Sequence, residues 1–325
     1  MTDLVAYGRQ VHQRQWLSRV HPALVITGVA VLGVMLASDS AHAQQGAQQM
    51  ADPPVLDGIA QTFRTAALTW RPRLIPLAQR TFALLAALEF AVSGIEAAFR
   101  RDGMDAIAAK FLLKFTLISV LLTLITTFDF WVPPIINGFV AAGETVVGRG
   151  VVSPSDIIDL GRETTMTVLS GISLTALWHD PAMALFAALC AFAIGILFAM
   201  VAVLLLLLML EISVVVLGAG VLFCGFGSSR WTAGLTDGFL NYTVYVGVRV
   251  FLMYLVIGLG MTVARSWIPL IQNSHFTGTA SPLLEVVGGA LAFAVMTYRI
   301  PNTIASRLTS HHTFGLAHAY RALNS

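Results

Sequence analysis

Apolar stretches separated by short charged segments run through most of this sequence. Four of them have span length: Leu77–Phe99, Phe111–Phe128, Gly238–Ala264 and Pro282–Tyr298. A bilayer hydrocarbon core about 30 Å thick is crossed by about 20 apolar residues in a helix. Each stretch therefore predicts a membrane-spanning helix.

A fifth stretch, Ala182–Gly227, is longer and contains one charged residue, Glu211. Two crossings would need a turn within Leu204–Leu208, which has no Gly, Pro, Asn or Asp. Glu211 divides the stretch into parts of about 44 and 24 Å as helix. We expect one overlong crossing, followed at 212–227 by a helix continuation, a bend or a re-entrant piece.

The remaining segments are predicted to lie outside the bilayer. Residues 44–76 form a periplasmic lead-in, with a short amphipathic helix near Val55–Thr69 ended by Pro72 and Pro76. Residues 131–181 mix glycine with charges and predict a periplasmic helical loop containing an amphipathic helix from Ser155. A further loop is expected at 265–281, and a short cytoplasmic tail at 299–325.

Residues 1–43 have the pattern of a signal peptide. Three arginines precede the apolar stretch Ala23–Ala37, and the small-residue site Ala41-His42-Ala43 follows. Cleavage there would place the new N-terminus outside the cytoplasm. A retained membrane anchor is the alternative.

Composition agrees with a membrane protein, since 57% of the 325 residues are apolar and 11% are charged. Soluble domains carry about 25% charged residues. Cytoplasmic loops are enriched in Lys and Arg, and a single crossing by the long stretch puts most basic residues on one side. We therefore predict an all-α polytopic inner-membrane protein. Its membrane domain, 77–325, has about five spans, an outside N-terminus and a cytoplasmic C-terminus.

Charges within spans are costly and usually face the protein interior. By depth, Glu89 is expected to pair with Arg249, and Glu211 is the alternative partner. Glu96 lies seven residues after Glu89, on the same helical face. These charges either hold helices together or line a passage for substrate.

No metal spacing, nucleophile motif or cofactor fingerprint was recognised, so no catalytic residue, metal or cofactor is predicted. The histidines His311, His312 and His318 are not spaced as metal ligands. Gly234 and Gly238 form a small-residue pair suited to close helix contact.

One segment carries a resemblance to a known family. Its residues are Phe226, Gly227, Arg230, Trp231 and Thr232, between an acid-interrupted leucine-rich span and a glycine-rich span. The arrangement resembles the TrbL family, polytopic inner-membrane subunits of conjugative type IV secretion systems. The resemblance covers roughly residues 73–305. Unlike many relatives, this chain ends about 27 residues after its last predicted span.

The resemblance implies a channel or platform subunit that supports DNA transfer and pilus assembly. It also implies contact with other secretion subunits, homo-oligomerisation in the membrane and transient contact with translocating DNA or protein. The alternative is a secondary transporter or channel for a small solute, which commonly shows internal repeats. We find no internal repeat in this chain.

Overall fold

A computed structural model of the protein describes residues 54–99, 104–148, 152–171, 181–273, 281–309 and Gly315. Every regular element in these ranges is helical. Six helical segments there are long and apolar enough to cross a membrane. The all-α polytopic fold is therefore confirmed. The expected signal peptide and the tail histidines lie outside the described residues.

Long helices make up most of the described chain. In chain order the elements are α1 (Val55–Phe99), α2 (Met104–Thr126), α3 (Phe128–Val147), α4 (Pro154–Ser170), α5 (Pro181–Glu211), a π-helix (Ile212–Ala219), α6 (Gly220–Cys224), a short 3-10 helix (Gly225–Ser228), α7 (Ala233–Asn273) and α8 (Ser281–Thr309). The amphipathic helix expected from Ser155 corresponds to α4.

The long apolar stretch follows one helical path without a turn. From α5 it continues through the π-helix and α6 to Ser228, and it forms a single candidate span, Ala182–Ser228. The predicted single path is confirmed, and residues 212–227 continue the helix. Glu211 is the last α-helical residue before the π-helix begins, so the one charge in this stretch marks a change in helix type.

The expected helix break at Pro72 and Pro76 is wrong, because α1 continues through both prolines. Both proline rings lie on the exposed side of the helix. Ala67, Arg71 and Ala78 on the opposite face stay buried. Packing of that face compensates for the hydrogen bonds that proline removes from a helix interior.

Two other expected ends are also wrong. Helix α7 runs beyond Ala264 to Asn273, into the segment predicted as a loop. Ala264 and Ile271 are both buried and lie seven residues apart, on one helical face. Helix α8 likewise runs through Pro301 to Thr309, into the predicted tail, and Ala305 on it is buried.

Helix α3 lies mostly within residues 131–181, the predicted periplasmic helical loop, yet it is long and apolar enough to cross a membrane. It follows α2 almost directly, and the indole N–H of Trp131 donates to the carbonyl of Leu124 across the junction at 2.9 Å. The sequence signal was obscured by Asp129, whose charge is paired with Arg71 at 2.5 Å.

Helices α2 and α3 pack in series along α1 as one antiparallel partner. Phe90 of α1 stacks on Phe111, whereas Arg71, earlier in α1, contacts Asp129, later in the chain. Residue numbers therefore decrease along α1 in the direction in which they increase along α2 and α3, as in an antiparallel pair. The six candidate segments of the described chain therefore form five continuous paths.

The chain forms two compact units. The described residues of one lie within 154–203 and 261–294, where Phe198 packs on Phe293 with ring centroids 5.9 Å apart. Gly161 of α4 gives this unit a close contact, since a Cβ there would overlap the Phe198 ring.

The described residues of the other unit lie within 54–153, 204–260 and 295–315. Within it α3 runs beside α7 through glycine contacts. Gly143 faces Tyr254, and Gly247 faces Phe139, so each glycine receives a ring from the neighbouring helix. Small residues let helices approach closely in this way.

The closest backbone approach in this unit predicts a stability effect. A Cβ at Gly225 would lie 2.8 Å from the carbonyl oxygen and 3.1 Å from the Cα of Ala78. Gly225→Ala should therefore force α1 and the 3-10 helix apart and destabilise the protein by about 1–3 kcal/mol. Thermal unfolding in detergent measures this. The matched control is Gly94→Ala on α1, where no atom lies within 4 Å of the new Cβ; equal melting temperatures would contradict the prediction.

Candidate functional site

The segment Phe226–Thr232 forms a tight connection between the 3-10 helix and α7, and we call it the connection segment. Its hydroxyl groups donate to backbone carbonyls of α1 and of the connection segment itself. The Ser228 hydroxyl donates to the Phe82 carbonyl at 2.8 Å, and the Thr232 hydroxyl donates to the Phe226 carbonyl at 2.5 Å. Both Ser228 and Ser229 are fully buried. The connection is therefore folded onto α1 and fixed there.

Arg230 attaches the connection segment to two glutamates of α1. Its backbone N–H donates to Oε2 of Glu89 at 3.3 Å, and its Nε lies 3.5 Å from the same oxygen. Its Nη2 lies 2.9 Å from Oε1 of Glu96. The guanidinium also lies 5.0 Å from the ring centroid of Trp231, a cation–π distance. Arg230 is thus held by charge and by an aromatic face.

Lys114 of α2 completes the cluster from the other side of Glu89. Its ammonium donates to Oε1 of Glu89 at 3.1 Å and to the Ser93 hydroxyl at 2.5 Å. Glu89 is 0% exposed and Lys114 is 3% exposed. We refer to Glu89, Glu96, Lys114 and Arg230 as the ion cluster. Two acids face two bases, so the formal charges balance within it.

Burial on this scale makes the ion cluster a strong constraint. An isolated charge in an apolar interior is far too costly to persist, so each member requires its partners. A satisfied buried pair adds little net stability, but removing one partner costs about 3–5 kcal/mol. The cluster can therefore fix how α1, α2 and the connection segment meet. All four of its charged groups are engaged with one another.

The expected Glu89–Arg249 pair is wrong. Arg249 Nη1 lies 2.7 Å from Oε2 of Glu211, the partner expected as the alternative. The chain runs parallel to α1 from Leu217 to Arg230, which carries Arg230 to the level of Glu89. Helix α7 then returns antiparallel and reaches the level of Glu211 at Arg249. Counting depth from the presumed span ends could not reveal this parallel stretch.

The Glu211–Arg249 pair lies where α5 changes into the π-helix. The Tyr242 hydroxyl donates to the second carboxylate oxygen, Oε1, of Glu211. Both charged side chains are mostly buried. Glu211 therefore joins the long helical path to α7 through two charged or polar contacts.

Two functional residues escaped prediction from the sequence. Lys114 lies within the predicted span Phe111–Phe128 but is not among the intramembrane charges predicted above. Arg71 had been placed in the lead-in, yet it is buried; its Nε donates to the Leu217 carbonyl of the π-helix at 3.2 Å and its Nη1 pairs with Asp129. Lys114 could have been found as an intramembrane charge. Arg71 had no comparable signal.

The predicted glycines and Trp231 differ in burial. Gly227 is buried against Thr236 and Leu121, whereas Gly234 and Gly238 have no atom near their missing Cβ positions. The expected close helix contact at Gly234 and Gly238 is thus not made within the described chain. Next to these glycines, Trp231 is 59% exposed.

No group of three or more His, Cys, Asp or Glu that could hold a metal occurs among the described residues. The ion cluster can hold α1, α2 and the connection segment together. The start of α7 beside it presents an exposed surface.

The ion cluster predicts a sharp difference between its two acids. Glu89→Gln leaves the buried Lys114 without a counter-charge and leaves Arg230 with Glu96 alone, so it should destabilise the protein by about 3–5 kcal/mol. Glu96→Gln is the matched control because the Glu96 side chain is 41% exposed. This variant should lower the free energy of unfolding by no more than about 1 kcal/mol. Unfolding in detergent, followed by circular dichroism, compares them. Similar losses for both variants would show that burial does not govern this cluster.

Comparison with known proteins covers this same region. The family described as TrbL/VirB6 plasmid conjugal transfer protein matches residues 86–300. The Conjugal transfer protein TrbL of Rhizobium radiobacter is 25% identical over 286 residues, covering 87% of this chain and 68% of the relative. The Probable conjugal transfer protein TrbL of Sinorhizobium fredii (strain NBRC 101917 / NGR234) is 23% identical over 284 residues, with the same two coverages. Because the family match extends over more than half of the chain, this multi-pass membrane protein belongs to the TrbL/VirB6 family of conjugal transfer proteins.

Proposed function

We propose that this chain is an inner-membrane platform or channel subunit of a conjugative type IV secretion apparatus, required for substrate translocation and pilus assembly. Family membership supports a role in conjugative transfer, and the multi-pass helical fold suits a membrane platform. The observation that carries the finer proposal is the connection segment, which is fixed by the buried ion cluster beside an uncovered surface. The family match favours this function over a small-solute transporter and gives no support to a catalytic role.

The intramembrane charges act in this proposal as structural links and do not line a passage. Glu89 is fully buried, and its carboxylate is already occupied by Lys114 and Arg230. Glu211 is likewise engaged by Arg249 and Tyr242. A carboxylate that binds a passing substrate would need free coordination and access. The proposed role of these groups is to hold the helices that present the assembly surface.

The proposed assembly surface consists of Trp231, Gly234, Leu235 and Gly238. Trp231 and Leu235 are 59% and 52% exposed, and both glycines border open space. Glycines four residues apart allow a second helix to approach closely, and large aromatic side chains contribute strongly to interfaces. We propose a second copy of this chain as the occupant. Other secretion subunits would bind elsewhere on the resulting oligomer, and translocating DNA or protein would contact it transiently.

A mating assay tests this proposal. A donor strain lacking the gene is complemented with the wild-type chain or with Gly234→Leu/Gly238→Leu. Leucine at both positions should block close helix approach and lower the transfer frequency at least about tenfold, because an interface clash of about 1.4 kcal/mol already changes association tenfold. Native electrophoresis in mild detergent should show loss of the oligomer.

The matched control is Gly288→Leu, since Gly288 also has no atom within 4 Å of its missing Cβ. Membrane levels and melting temperatures of all variants must equal those of the wild type. Wild-type transfer by the double variant, or an equal loss with Gly288→Leu, would disprove the assembly surface.

We also propose the orientation inferred from basic residues: N-terminus outside, C-terminus in the cytoplasm, and 1–43 a signal peptide. Of the predicted periplasmic loop 131–181, the part that follows α3 is proposed to lie on the periplasmic side. The serial arrangement of α2 and α3 supports five crossings, because the two helices lie along α1 as one path. An odd number of crossings places the two ends of the membrane domain on opposite sides.

Cysteine labelling in intact cells tests the orientation. In a Cys190→Ala/Cys224→Ala chain, an impermeant maleimide should label Gln272→Cys, which lies at the exposed end of α7. Ser325→Cys should be labelled only after the cells are permeabilised. Labelling of Ser325→Cys in intact cells would reverse the proposed location of the tail.

A further inference from the structure

The outward side of α1 carries a continuous exposed ridge that the proposed function does not use. Its members are spaced three or four residues apart along the helix: Trp70, Arg73, Leu77, Arg80, Leu84 and Leu88. This spacing places side chains on one helical face. The buried side chains of α1, including Arg71 and Glu89, lie on the other face. The ridge therefore points away from the core of its unit.

Arg73 and Arg80 are unusual members of this ridge. Both are exposed, and neither makes an ion pair or hydrogen bond within the described residues. They lie seven residues apart, or about 10 Å along the axis. By contrast, Arg71, Glu89 and Glu96 of the same helix all have charged partners within the chain. Among the described residues, these two guanidinium groups on one line thus remain free to bind an anion.

The neighbours of these arginines indicate what kind of anion fits. Leu77 and Leu84 are 48% and 73% exposed beside them, and Trp70 precedes them. Tryptophan is enriched at membrane–water interfaces, and arginine extends from apolar surroundings to reach phosphate groups there. An acidic protein face would leave the exposed leucines against polar groups. Lipid supplies phosphate and hydrocarbon together.

The rest of the ridge is apolar. Beyond Arg80, the side chains of Leu84, Leu88 and Ile95 are exposed on the same face. Arg80 therefore has an exposed leucine on each side along the ridge, Leu77 before it and Leu84 after it.

We propose that Arg73 and Arg80 form a binding site for the phosphate headgroups of anionic phospholipids. The guanidinium groups bind the phosphates, and the alternating leucines pack against the acyl chains. The inference is independent of the orientation and of the assembly surface proposed above.

A local fluorescence measurement tests the site. The full chain, with Cys190→Ala, Cys224→Ala and a bimane label on Leu77→Cys, is reconstituted in phosphatidylcholine vesicles. Trace nitroxide-labelled phosphatidylglycerol or nitroxide-labelled phosphatidylcholine is then added as the quencher. Phosphatidylglycerol should be enriched at the label about fivefold for each arginine, up to about thirtyfold for both. Arg73→Gln/Arg80→Gln should abolish this preference, and Arg73→Lys/Arg80→Lys should retain most of it.

Arg64→Gln is the matched control. Arg64 is exposed on the same helix, but nine residues before Arg73 and therefore about half a turn away from the ridge. Its replacement should leave the preference unchanged. Equal quenching by the two lipids in the unsubstituted chain, or an equal loss with Arg64→Gln, overturns the proposal. Crosslinking from position 77 to another protein chain would instead identify an acidic protein face as the occupant, and also overturns it.

Discussion

The carboxylate of Glu89 is the constraint on which one whole unit of this protein depends. It is fully buried and accepts hydrogen bonds from Lys114 and from the backbone of Arg230. These partners come from positions 25 and 141 residues away along the chain. A buried charge cannot stay unpaired, so α1, α2 and the connection segment must meet at this point. Arg230 then determines how α7 begins.

Charged contacts also mark the other joints of this unit. Arg71 links α1 to Asp129 and to the π-helix, and Glu211 links the long helical path to α7 through Arg249. Among apolar helices, van der Waals packing allows many relative positions, since lipid is as apolar as leucine. An ion pair is satisfied at one position only. The charges thus specify alignment, and the glycine contacts between α3 and α7 set the distance of approach.

Much of this architecture was predictable from the sequence, because hydrophobic length is a direct physical requirement of a bilayer. The absence of a turn in Leu204–Leu208 predicted one path, and Glu211 was recognised as its only interruption. The alternative pairing with Arg249 was also available. The preferred pairing failed because it used depth alone, and depth does not tell which helices are neighbours. The predicted helix end at Pro72 and Pro76 was wrong for a related reason. The helix propensity of a residue does not include the packing of the opposite helix face.

The π-helix at Ile212–Ala219 has a consequence for how this chain can vary in length. A π-helix places more residues in each turn than an α-helix, so these eight residues rotate everything after them relative to Glu211. The Glu211–Arg249 pair and the contact of Arg230 with Glu89 are both made with that rotation in place. An insertion or deletion in this segment would misalign one of the two, unless the helix type changed with it. A relative with a continuous α-helix here would therefore need fewer residues between the same two charges.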